Sequence, residues 1–103
     1  MREFSIVMTT CGDADRARPI TCALLEEGLA ACVQVMPIQS HYIWEGAVQH
    51  EHEVLLLIKC RAENYKAIEN VILRLHDYEV PEIVQIPITD GSRKYLDWVA
   101  EPK

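Results

Sequence analysis

An α+β fold built around one antiparallel sheet is predicted by three features of the chain. Short segments of period-two alternation flank two stretches of helical periodicity. Residues 33 to 45 are mostly strand-like, and the chain turns strand-like again after Glu45-Gly46, the only strong turn signal in that region. The run Val54-Leu55-Leu56-Leu57-Ile58 is apolar at every position, so both faces of that strand need cover. With 103 residues, half of them apolar and a quarter charged, the chain suits a single domain, 1–103, with an ordinary core.

Each element follows in order. Phe4, Ile6 and Met8 alternate with Ser5, Val7 and Thr9, which predicts a first strand from about 3 to 9. Thr10-Cys11-Gly12-Asp13 reads as a loop, and Asp13 or Asp15 can cap the helix that follows. Ala17, Ile20, Ala23 and Leu24 form its apolar face, and Gly28 sits where a C-terminal cap belongs. Pro19 would break a hydrogen bond inside that helix, so the helix is expected to start late, at 16 or 17. Two strands joined at Glu45-Gly46 come next. Glu63 to His76 is a second amphipathic helix, with Tyr65, Ile68, Ile72 and Leu75 on one face. Residues 77 to 82 are a loop, and Ile83 to Ile88 a strand that Pro87 confines to a sheet edge. Ser92 to Ala100 is a short last helix. The order β-α-β-β-α-β plus a terminal helix is that of ferredoxin-like folds, with strands 1 and 3 central and both main helices on one face.

The hairpin is too long for its own domain. Thirteen extended residues reach roughly 40 Å, against a radius of gyration of ~13 Å for a domain of this size. An arm carrying Tyr42, Ile43 and Trp44 has to pack somewhere, and another copy of the chain is the simplest answer. The two-sided apolar strand asks for the same thing, so a homo-oligomer is expected twice over.

The formal net charge of −6, with no basic run, argues against nucleic acid as a partner. No apolar stretch approaches the ~20 residues of a membrane span, and Met1 to Ser5 does not open a signal peptide; a cytoplasmic, membrane-free protein is expected. Cys11, Cys22, Cys32 and Cys60 are irregularly spaced with no C-x-x-C pair, which reads as reduced thiols. Cys22 falls among helical residues and is assigned to packing. There is no nucleophile–base–orienter set, glycine-rich phosphate loop or zinc-ligand spacing, so an enzyme is not expected.

Three groups of residues tie the chain to a known family. The first is Ala30-Ala31-Cys32-Val33, Pro37, Ser40-His41-Tyr42-Ile43-Trp44-Glu45-Gly46, Glu53 and Lys59-Cys60. The second is His76-Asp77-Tyr78-Glu79-Val80-Pro81-Glu82, and the third is Tyr95-Leu96-Asp97-Trp98. On these residues the chain resembles the CutA family of divalent-cation tolerance proteins over nearly its whole length. The resemblance implies a ferredoxin-like homotrimer similar in architecture to PII signalling proteins, with three sheets around an axis and hairpins reaching to neighbours. It also implies a link to copper and divalent-metal tolerance. The family's copper site is ascribed to a cysteine ending the first strand and two adjacent histidines before the proline-tyrosine motif. Those positions read Thr9, Leu75 and His76 here, so one ligand of three is kept. Cys11 substitutes only if its loop folds back, and Asp77 adds a carboxylate beside His76.

The metal candidates are therefore His76 and Cys11, with copper or another divalent cation as the expected ligand. His76 also has a structural use at the end of a helix. His50 and His52, two apart on a strand, share a face and form a weaker chelating pair. Tyr42, Trp44, Lys59, Glu82 and Tyr95 are the candidates for an intersubunit cleft in which Lys59 meets an anion, although Tyr and Trp also serve interfaces by packing. Two further readings stay open: a sensor of a small anionic metabolite, and a structural trimer that anchors a partner protein.

Overall fold

The structure, a computed structural model, describes residues 2–103. Its elements are β1 (Phe4–Cys11), α1 (Ala14–Glu26), β2 (Cys32–Trp44), β3 (Ala47–Arg61), α2 (Tyr65–Leu75), β4 (Ile83–Ile88) and α3 (Arg93–Ala100). The four strands form one sheet in the order β2-β3-β1-β4, antiparallel throughout. This is the ferredoxin-like arrangement, with β1 and β3 central and Pro87 on an edge strand, as the sequence indicates.

Alternation along β1 sends Val7 and Cys11 towards α1 and α2. There they join Ala17, Ile20, Leu24, Leu56, Ile58, Ile68 and Ile72 in the main core. Each such large aliphatic side chain, removed from water, stabilises the fold by about 2 kcal/mol. The opposite face of the sheet is treated differently. α3 covers one end of it, packing Val99, Ala100 and Leu96 on Phe4, Ile88 and Ala31. The rest is open. Ile6, Met8, Leu55 and Leu57 are only half-buried, and Met36, Val84 and Ile86 are exposed.

The hairpin leaves the sheet at Val54, which pairs with both Cys11 of β1 and Pro37 of β2. From Ile38 to Glu53 the ribbon has only two strands, and it gives the molecule its longest dimension, 44 Å against 25 and 22 Å. Glu45 (φ 52°) and Gly46 (φ 78°) both take the left-handed conformation that a two-residue type I′ turn requires.

Four local expectations are corrected. β1 continues to Cys11, so Cys11 is a strand residue rather than part of a loop. α1 starts at Ala14, not at 16 or 17, with Pro19 inside it. The Asp13 carboxylate caps the Arg16 N–H at 2.8 Å, and Pro19 lies on the exposed side, where the freed Asp15 carbonyl can be solvated. Cys22 is exposed, because it points away from the Ala17–Ile20–Leu24 stripe. The second helix opens with a tight 3₁₀ turn, Ala62–Asn64, and buries Ile68, Val71 and Ile72, while Leu75 is exposed.

Candidate functional site

The end of β1, the start of α1 and the end of α2 meet around a shallow cavity of about 260 Å³, with Cys11, Arg16, His76 and Asp77 in its lining. Because β1 runs straight to Cys11, no loop has to fold back. The Cys11 Sγ lies 3.8 Å from the His76 Nε2. The two metal candidates are thus side by side.

Their hydrogen bonds decide what they can do. His76 is the cap residue after α2, and its side chain is 1% exposed. Its Nε2 is 2.7 Å from the Thr10 carbonyl, which can only accept, so Nε2 carries the proton. Its Nδ1 accepts the Tyr78 backbone N–H at 3.0 Å. Both ring nitrogens are therefore used, in the neutral Nε2–H tautomer. Asp77 Oδ1, 3.6 Å from Nδ1, faces a lone pair already engaged and makes no hydrogen bond.

Cys11 is buried, and burial pushes its thiol up to about 11, helped by the charges of Asp77, Glu53 and Asp13. A metal needs the thiolate and a free imidazole lone pair. To ligate a cation here, the metal would have to displace the Cys11 proton and one of the two backbone groups that hold the His76 ring. Thr9, the third position implied by the resemblance, is fully buried and its Oγ1 has no hydrogen-bond partner among the described residues. Leu75 contributes only carbon.

The remaining polar contacts brace the same corner. The Tyr78 hydroxyl donates to Glu53 Oε2 at 2.6 Å, and burial followed by that hydrogen bond raises the phenol well above its ordinary value. Arg16 donates through Nε to Asp77 Oδ2 at 2.9 Å and also pairs with Asp13. These arginine pairs are exposed and stabilise little.

The five cleft candidates separate into three places. Lys59 lies on the open face of the sheet with its Nζ 5.4 Å from the centre of the Tyr95 ring, a cation–π contact. Tyr42 and Trp44 lie near the arm tip, opposite Gln49 and Ala47. The ten residues of β3 between Gln49 and Lys59 span roughly 33 Å. Glu82 is exposed just before β4. One chain does not bring these residues together.

The sequence reading missed the Tyr78–Glu53 pair and His41. Glu53 carried a signal, since an acid placed directly before a buried apolar run needs a donor. His41 carried one too: counting back from the two-residue tip pairs it with His50.

Residues 5–102 match the family described as CutA1 divalent ion tolerance protein. The divalent-cation tolerance protein CutA of Thermus thermophilus is 43% identical over 97 residues, covering 93% of this chain and 94% of that protein. The crystal structure of CutA1 from the psychrotrophic bacterium Shewanella sp. SIB1 aligns with TM-score 0.90 and 44% identity, over 94% of this chain and 92% of that one. The periplasmic divalent cation tolerance protein CutA from Archaeoglobus fulgidus aligns with TM-score 0.89 and 34% identity, over 96% and 95% of the two chains.

Proposed function

The chain belongs to the CutA1 divalent ion tolerance family, and from that premise we propose a non-enzymatic role in divalent-cation tolerance, exercised as a homotrimer with copper or another divalent cation as its ligand. The observation that carries the assembly is the uncovered apolar half of the sheet. Met36, Val84 and Ile86 are each more than 40% exposed beside half-buried Leu55 and Leu57, and a lone protein of this size rarely shows such a patch. Among the described residues no helix is long and apolar enough to cross a membrane, and all four cysteines are free, which suits a reducing compartment such as the cytoplasm.

The test has two arms. Native mass spectrometry should find three times the 11.8 kDa chain mass at micromolar concentration. Expression in a cell lacking its own homologue should raise the copper concentration tolerated at half-maximal growth. A monomer with no growth effect would remove the reading.

One observation favours a second reading. Lys59 has no carboxylate within ion-pair distance among the described residues and is held against Tyr95. A small anionic metabolite could be read there, at a junction between chains. Thermal stabilisation by an organic anion that Lys59→Met abolishes would support it, and a flat ligand screen would not.

A further inference from the structure

The arm carries a side-chain cluster that the corner around His76 does not involve. The tip register that sets Trp44 opposite Ala47 also sets His41 opposite His50 and Gln39 opposite His52. Period two then places these four residues on one face of the ribbon, the reverse of Tyr42 and Trp44. The His41 and His50 rings stack at 4.1 Å with 9° between their planes, and the His52 ring is 5.9 Å from that of His50. All three are exposed.

Their hydrogen bonding is the opposite of that at His76. The His41 and His52 rings make no hydrogen bond among the described residues. His50 makes one, through Nε2 to the Gln39 Oε1 at 3.3 Å. That oxygen only accepts, so in this contact Nε2 holds the proton and Nδ1, which makes no hydrogen bond among the described residues, keeps its lone pair. An imidazole that donates one nitrogen to a carbonyl and offers the other is the usual posture of a metal-binding histidine.

We infer that this face of the arm binds one zinc-like or copper-like divalent cation through His41, His50 and His52, with Gln39 orienting His50. Metal–nitrogen bonds of about 2.0 Å ask two ring nitrogens to stand roughly 3.3 Å apart. Side chains opposite one another on paired strands start with their Cβ atoms about 5 Å apart, within reach after rotation. Among the described residues no three ligands already converge on one point, so the stacked pair has to part for the chelate to close. Imidazole without thiolate or a carboxylate cage selects zinc, copper or nickel over calcium and magnesium. By the same alternation Glu51 and Glu53 project from the reverse face of β3 and leave the set to the histidines.

The site deepens the tolerance reading but is drawn from the arm's own side chains. Titration calorimetry of the full chain with Zn²⁺, and separately with Ca²⁺, tests it. Saturable uptake of one Zn²⁺ per chain is expected, with no Ca²⁺ signal. His50→Asn should weaken binding roughly tenfold or more, and the variant His41→Asn/His50→Asn/His52→Asn should abolish it, while Cys11→Ser leaves it unchanged. Undiminished affinity in the triple variant, or no saturable Zn²⁺ binding by the wild type, overturns the site. The exposed positions keep these variants folded, which circular dichroism checks. Because the readout is binding in vitro, its failure leaves the tolerance reading standing, and a failed growth assay leaves the site standing.

Discussion

Two histidine environments in this molecule use the same side chain in contrasting ways. At the corner where β1 meets α2, His76 is buried and both ring nitrogens are spent on backbone groups of Thr10 and Tyr78. On the arm, His41 and His52 are exposed with no hydrogen bond among the described residues, and His50 spends one nitrogen on Gln39. Proximity to a cysteine or to another histidine therefore says less about ligand capacity than the count of uncommitted lone pairs does. A histidine that completes a fold is not free to hold a cation. One that completes nothing is.

The contrast breaks most sharply under truncation. His76→Ala strands the Thr10 carbonyl and the Tyr78 N–H in a buried corner and should lower stability by about 3 kcal/mol, whereas His50→Ala should cost about 0.5 kcal/mol or less. Urea unfolding at fixed protein concentration measures both, and equal losses would erase the distinction.

Alkaline pH sharpens it next, through the corner's thiol. Burial pushes Cys11 and Cys60 from an ordinary value near 9 up to about 11. The folded state holds these thiols neutral while the unfolded chain ionises first. Stability should be flat below about pH 9 and then fall up to about pH 11, by on the order of 2 kcal/mol for each thiol. Cys11→Ala should flatten part of that slope in unfolding curves taken across the range.

The smallest effect concerns Thr9, buried beside the same corner with an unpartnered hydroxyl. Thr9→Val keeps the shape and removes the unmet hydrogen bond, so thermal unfolding should show a gain of about 1 kcal/mol. A loss would mean that the hydroxyl does find a partner.

Much of the fold was legible because it rests on period and turn chemistry. The Glu45-Gly46 tip, the consecutive apolar positions of β3, the Gly28 cap and Pro87 on an edge all follow from local rules that tertiary packing did not override. Pro19 misled, because a proline rule that holds for buried helix interiors is relaxed on an exposed face behind a good cap. The site was legible by residue and not by role. The sequence names Cys11 and His76 but brings Cys11 near only if its loop folds back; the structure places the two 3.8 Å apart along a straight strand and shows that Thr10 and Tyr78 claim the imidazole. His41 was recoverable by register arithmetic. The scattering of Lys59, Glu82 and Trp44 was not, since their meeting would need a surface from a second chain.

The two-stranded reach from Ile38 to Glu53 ties folding to concentration. A ribbon of two strands with nothing packed on it is marginal in water, while the part of β3 from Val54 to Lys59 is held between β1 and β2, and Cys60 and Arg61 pair with β1. One strand thus contains a portion flanked on both sides by the sheet and a portion paired only with β2 among the described residues; in the proposed trimer a neighbouring chain would cover the second. In hydrogen exchange, the amides of Ala47–Glu53 should slow as protein concentration rises and those of Val54–Arg61 should not, which makes the strand its own gauge of association.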